Sequence, residues 1–251
     1  MIQSQQWGAG QMNLANAKGE RPPRIGINTD ISGSPRQRAT IPLDYIDAIT
    51  HAGGLPIPLA PVEASLELLP ELDGIVFIGG DDYQLGNHAG VPRDFSAVDP
   101  RRERIDFALA HRALECDLPT LGICCGFQLI VLAQGGRIHG DVPSETQSDI
   151  LHKGVTPVDP AVSPLVHHDI HWHTPWQGLS PCRHRVNSHH HQAVSILPQE
   201  WSPLATADDG IVEAAAGPGT FQLGLQWHPE KEPQDPLNAH LMGSFIKAAS
   251  R

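Results

Sequence analysis

The run Gly74-Ile75-Val76-Phe77-Ile78 is apolar without a break, and Pro119 to Ile123 is nearly so. A strand with one wet face alternates apolar and polar residues, because successive side chains point to opposite sides. An unbroken run has to be covered on both faces, which in practice means a parallel sheet sandwiched between helices. The rest of the first half fits that demand. Arg24-Ile25-Gly26-Ile27-Asn28 reads as an opening strand, and Leu43 to Ala52 has helical spacing closed by Gly53-Gly54. Leu55 to Leu59 reads as a strand whose Pro56 and Pro58 place it at a sheet edge. Val62 to Leu69, Arg101 to Glu115 and Phe127 to Ala133 read as helices, the last closed by Gly135-Gly136. This alternation predicts an α/β fold, with a mostly parallel central sheet flanked by helices.

The second half changes character. Val166 to His173, His184 to Asn187, Pro203 to Ala207, Ile211 to Ala215 and Phe221 to Gln226 read as strands, followed by a helix from Leu237 to Ala249. Asp209-Gly210 has the chemistry of a hairpin turn, so a small antiparallel extension is expected. Residues 1–23 are polar and aperiodic and are read as a flexible leader without the apolar segment of a signal peptide. Residues 24–251 show no repeat or linker and are read as one domain.

The formal net charge of −11, with no basic run, argues against nucleic acid and anionic membranes as partners. Four cysteines, at 116, 124, 125 and 182, form no CxxC pair and are read as free thiols of a reducing, cytoplasmic compartment. Cys116 and Cys182 are expected to be packing residues. The fifteen histidines raise the question of a metal. His167, His168, His171 and His173 lie close in sequence, but His167 and His168 point oppositely on a strand, so the expectation is no metal.

The chemistry points to Gly122-Ile123-Cys124-Cys125-Gly126-Phe127-Gln128, a Gly-x-Cys-x-Gly between a buried strand and a helix. This is the cysteine form of the strand–turn–helix elbow that displays a nucleophile. Small residues flank it because the turn is tight. Cys124 would sit at a helix N-terminus, where the dipole favours the thiolate, and the Cys125 N–H would point to the same place. A second signal is Gln226-Trp227-His228-Pro229-Glu230. Two residues apart on an extended segment, His228 and Glu230 would share a side, and the carboxylate could orient the imidazole.

Together with Tyr45-Ile46-Asp47-Ala48-Ile49, Val186-Asn187-Ser188-His189-His190-His191-Gln192 and Asp209-Gly210-Ile211-Val212-Glu213-Ala214, these motifs resemble the class I glutamine amidotransferase superfamily. Within it they resemble the peptidase C26 branch, the γ-glutamyl-γ-aminobutyrate hydrolase type. The resemblance implies a flavodoxin-like fold and a triad of Cys124, His228 and Glu230. It implies an oxyanion hole from the N–H groups of Gly80 and Cys125, and a substrate pocket shaped by Gln128 and rimmed by Asn187, Ser188 and His190. It implies a small-molecule γ-glutamyl amide as substrate, no cofactor, and a homodimer. Three positions depart from the family pattern. Cys125 stands where an arginine is common, Gly79-Gly80-Asp81-Asp82-Tyr83-Gln84 lacks the usual proline, and Asp106 replaces a longer glutamate. Tyr83, Trp172 and Trp176 are material for aromatic faces toward the leaving amine, the alternative for each tryptophan being core packing. The competing reading is a glutaminase subunit that passes ammonia to a separate synthetase.

Overall fold

In a computed structural model, residues 21–84, 95–146, 148–154 and 165–250 are described. Most of the predicted leader therefore lies outside the described residues. Its end does not hang free: Arg21 pairs with Asp73, and the carbonyl of Pro23 accepts from the N–H of Leu55.

In chain order the strands and helices are β1 (Arg24–Asn28), β2 (Asp30–Ser32), β3 (Arg38–Thr40), α1 (Leu43–His51), β4 (Leu55–Leu59), β5 (Gly74–Phe77), α2 (Pro100–Glu115), β6 (Thr120–Ile123) and α3 (Cys125–Ala133). The second half adds β7 (Arg137–His139), α4 (Val142–Thr146), β8 (Val166–Trp172), β9 (Cys182–Ser188), β10 (Ala193–Ile196), β11 (Ser202–Ala207), β12 (Val212–Ala216), β13 (Gln222–Leu225) and α5 (Pro236–Ala249). The segment Val62 to Leu69, read as a short helix, is helical in the tighter 3-10 form over Glu63–Glu71, with Pro70 inside it.

One nine-stranded sheet organises the molecule, in the order β4-β1-β5-β6-β13-β12-β11-β8-β9. The first five strands run parallel to one another. From β13 onward every pairing is antiparallel, so the extension contributes four strands. The proline-bearing β4 lies at the edge, where a missing N–H costs no ladder bond. The β11–β12 hairpin turns at Asp209-Gly210, with Gly210 at φ 86°.

The two strands read as buried on both faces are so: every residue of β5 and β6 is buried, and β13 beside β6 is buried as well. Two apolar cores cover the two faces. One contains Ile27, Val76, Leu121, Leu223 and Phe245, and the other Phe77, Leu109, Phe127, Leu129 and Trp201. α3 approaches the sheet closely because glycines face it. A Cβ on Gly224 would lie 1.8 Å from the Phe127 ring, and one on Gly126 would lie 2.0 Å from the Phe77 carbonyl oxygen.

These contacts give opposite expectations for two glycines. Gly224→Ala has to displace either Phe127 or the strand, at a cost of roughly 1–3 kcal/mol or more. Gly243 lies exposed in α5, with nothing within 4 Å of the position a Cβ would take. Gly243→Ala should stabilise by roughly 0.5–1 kcal/mol, by removing glycine from a helix interior. Urea unfolding of the two variants should move the midpoint in opposite directions.

Candidate active site

β6 ends at Ile123 and α3 begins at Cys125, leaving Cys124 alone on the turn. Its backbone is at φ 54°, ψ −113°, a conformation that L-residues rarely adopt. The surroundings enforce it. The Cys124 N–H is held by Leu225 O at 2.7 Å, and its carbonyl accepts from the N–H groups of Phe127 (3.0 Å) and Gln128 (3.2 Å). A Cβ on Gly122 would meet the Gly126 carbonyl oxygen at 2.7 Å, so the glycines flanking the elbow let the turn close. The outcome is a thiol at the N-terminus of a buried helix.

β13 is the parallel neighbour of β6, with Leu225 opposite Ile123. The chain leaving β13 is pinned before it reaches the histidine. Gln226 N–H donates to Glu213 O at 2.8 Å, and the buried Trp227 donates from Nε1 to Asn238 Oδ1 at 2.9 Å. His228 and Glu230 do not lie on an extended segment. Pro229 opens a short 3-10 turn over Pro229–Lys231, and that turn brings Glu230 Oε1 to 2.7 Å from His228 Nδ1. The Glu230 side chain is buried, as is most of the imidazole. Burial alone would lower the His228 pKa, but the adjacent Cys124 thiolate and the Glu230 carboxylate outweigh it and push it up to about 10.

Asn187, expected at the substrate rim, is fully buried and does something else. Its amide oxygen accepts from the His228 N–H at 3.0 Å, and its NH₂ donates to the His228 carbonyl at 2.9 Å and to Glu232 at 2.9 Å. It fixes the backbone that carries the imidazole. Ser188 is also away from the cavity wall, donating to the His152 carbonyl at 2.7 Å. His190, by contrast, lies at the wall of a cavity of about 150 Å³, with Gly80, Cys124, Cys125 and Gln128. Gln128 spans the back of this cavity, donating to Gln192 O at 2.9 Å and to Gln226 Oε1 at 3.3 Å. A larger cleft of about 570 Å³ lies between the 63–71 turn and α2, and none of these residues touches it.

The loop bearing Gly80 is built on a buried ion network. Arg102 donates to Asp106 at 3.0 Å, to Asp30 at 2.9 Å and to the Gly79 carbonyl at 3.3 Å. Asp106 also accepts from Asn28 and from the Tyr83 hydroxyl, both at 2.7 Å. The shorter carboxylate thus reaches a full set of partners. Asn28 Oδ1 accepts from Ile78 N–H at 2.8 Å, and the Tyr45 hydroxyl accepts from Gly79 N–H at 3.0 Å, so the strand end is held from both sides. A Cβ on Gly80 would lie 2.5 Å from the Arg102 guanidinium.

Several expectations are corrected here. Tyr83 belongs to this network and is 1% exposed, Trp172 is 2% exposed, and the half-buried Trp176 packs against Trp172 and Phe221, so none of the three lines the cavity. A polar residue or an aromatic near a motif looks the same in sequence whether it faces substrate or core. Cys116 and Cys182 are exposed rather than packed. Cys125 is buried, its thiol donating to the Asp81 carbonyl at 2.9 Å, and burial pushes its pKa well up. Of the histidines on β8, His167 and His171 face outward to Glu232 and Asp208, whereas His168 turns inward; His173, just past the strand, meets Thr206. His168 meets His152, a residue no sequence signal singled out, beside the buried Glu213.

Chemically, a thiol beside an imidazole that is itself held by a carboxylate can exist as a thiolate–imidazolium pair. In Cys124→Ala the thiolate contribution disappears, so the His228 titration midpoint should fall from about 10. Nitrogen-15 NMR of the imidazole measures this directly. An unchanged midpoint would mean that Cys124 and His228 do not interact.

Comparison with known proteins agrees with this architecture. The Peptidase C26 family matches residues 23–230. A gamma-glutamyl-gamma-aminobutyrate hydrolase of Escherichia coli O157:H7 is 34% identical over 219 residues, covering 83% of this chain and 86% of that protein. A Lactococcus lactis protein named as glutamine amidotransferase-like is 33% identical over 189 residues, 74% and 78% of the two chains. The glutaminase domain of a Trypanosoma brucei CTPS superposes with a TM-score of 0.58 at 16% identity, covering 90% of this chain and 93% of that one, which makes the fold a class I glutamine amidotransferase type. On the family match and these relatives, the chain belongs to the peptidase C26 family.

Proposed function

We propose that this protein is a cysteine-dependent hydrolase of γ-glutamyl amides, with Cys124 as nucleophile, His228 as acid and base, and Glu230 as the group that orients the imidazole. The observation that carries the reading is the placement of one thiol, in a strained turn at a helix N-terminus, beside an imidazole fixed 2.7 Å from a buried carboxylate. The name of the E. coli relative supports the substrate class.

The Cys124 thiolate attacks the δ-carbonyl carbon of the glutamyl group. Negative charge gathers on the carbonyl oxygen, and the N–H groups of Cys125 and Gly80 stabilise it. The C–N bond breaks as His228 gives its proton to the departing amine, leaving a thioester on Cys124. Water then gives a proton to the neutral His228 and adds to the thioester, which collapses to glutamate and the thiolate. Cys125, held as a neutral thiol by burial, contributes its backbone rather than its side chain.

The rival reading, a glutaminase that waits for a synthetase, differs in what the lone chain does. Acting alone, it should show a higher kcat/KM for a γ-glutamyl amine than for free glutamine. Preference for glutamine, or no cleavage until a second protein is added, would transfer the assignment to the glutaminase. Cys124→Ala should lose about 10⁴-fold or more in kcat, and Cys125→Ala should keep most of it. Glu230→Gln should lower kcat strongly with little change in KM.

The pH profile carries a separate expectation. Acylation needs the protonated imidazole, whose pKa is raised to about 10, so that form persists through neutral and mildly alkaline pH. kcat/KM should therefore fall only as pH rises through about 10. An alkaline fall centred near the ordinary histidine value of about 6.5 would contradict the ion pair.

A further inference from the structure

Beside the cavity, and sharing His190 with its wall, three imidazoles converge on one carboxylate oxygen. Glu213 Oε1 lies 3.3 Å from His168 Nε2, 3.4 Å from His152 Nδ1 and 3.5 Å from His190 Nε2. Glu213 is 0% exposed, and the three histidines are 3–6% exposed. None of these approaches has hydrogen-bond geometry. Both oxygens of Glu213, both ring nitrogens of His168, Nδ1 of His152 and Nε2 of His190 lack a hydrogen-bond partner among the described residues. The imidazoles are near enough to favour the ionised carboxylate, but at 3.3–3.5 Å none completes a good hydrogen bond to it, and so many incompletely satisfied polar atoms in one place call for an occupant.

The spacing says what kind. Zinc bonds to imidazole nitrogen and carboxylate oxygen at about 2.0–2.2 Å, and the edges of a tetrahedron of that radius are about 3.3–3.5 Å. The three distances from Glu213 Oε1 are edges of that length meeting at one corner. His152 Nδ1, His168 Nε2 and the carboxylate oxygen lie within 4.8 Å of one another. Two of the rings already have their outer nitrogen held as metal-bound histidines usually do, while the outer nitrogen of His168 has no partner among the described residues. His152 Nε2 is 2.8 Å from Asp209, which in turn accepts from Ser148, and His190 Nδ1 is 3.0 Å from the Gln192 carbonyl.

We propose that His152, His168 and Glu213 bind a divalent metal ion of the zinc type, with His190 beside the same carboxylate oxygen at 3.5 Å. A nitrogen-and-oxygen donor set of this kind suits zinc better than the hard cations magnesium and calcium, which take oxygen. The ion would tie the 148–154 segment, β8 and β12 to the turn that carries His189, His190 and His191 to the cavity wall. Its role is to position that wall. It lies outside the thiol–imidazole–carboxylate group, so the site stands or falls independently of the proposed hydrolase reaction.

The test uses the full chain and metal content rather than activity. Purified protein equilibrated with Zn²⁺ and then desalted should retain about one ion per chain by mass spectrometry, as a structural site does. Zinc-edge X-ray absorption on the same sample should show imidazole and oxygen ligands without sulfur, and it needs no variant. Co²⁺ added to the Cys124→Ala chain should give the visible bands of a tetrahedral nitrogen and oxygen site. Glu213→Gln and His168→Ala should each abolish retention, whereas His171→Ala, on the outer face of the same strand, should keep it. Retention below about a tenth of an ion per chain, sulfur in the zinc shell, or full retention by Glu213→Gln would overturn the proposal.

Discussion

The contact on which the rest depends is the meeting of α3 with the strands beneath it. Gly126 rests on the Phe77 carbonyl and Phe127 on Gly224, at distances that leave no room for a methyl group. That closeness draws the helix start down to the end of β6, and the single residue between them takes up the turn at φ 54°. A conformation costing of order 1–3 kcal/mol persists only where the surroundings over-determine it. Here they do so with apolar packing on both sides of the sheet. The placement of the thiol is thus set by packing groups outside the cavity wall.

Around that turn the polar support is divided by task. Arg102 and Asp106 hold the Gly79-Gly80 loop, with Asn28 and Tyr83 completing the coordination of the carboxylate. Asn187 and Glu230 hold His228, one by its backbone and one by its ring. Breaking a buried pair by removing one partner leaves an uncompensated charge, typically at 3–5 kcal/mol. The loop and the histidine are each fixed by interactions of that kind, from opposite halves of the sheet.

Much of this was legible in the sequence, for a physical reason. Unbroken apolar runs, glycine stops and prolines at an edge are local signals, and β4, β5, β6 and α2 fall close to where those signals put them. The elbow and the His228-Pro229-Glu230 segment were legible because each fits within seven consecutive residues. What was not legible depends on the fold. β2, β3 and β7 are three-residue strands without a pattern. Residues 152, 168, 190 and 213 meet only because strands far apart in sequence bring them together, so neither the gathering of those histidines nor the burial of Tyr83 and Trp172 can be read from spacing. Asn187 was picked out by its motif, but its partner is backbone, which leaves no trace in composition.

The bond from Asn187 to His228 also says something about shape. β9 is the last strand of the sheet, four places from β13. In a flat sheet that separation would be about 19 Å, at about 4.8 Å per strand. The side chain nevertheless reaches the backbone just beyond β13 at 2.9 Å, so the antiparallel half must roll back on itself like a partly closed barrel. The outermost strand, which in an open sheet would be the least constrained and the easiest to lend to another molecule, is here latched to the peptide groups of His228. Drawing β9 away from the sheet would thus break both bonds between Asn187 and the peptide groups of His228, so the edge strand cannot leave without loosening the support of the imidazole.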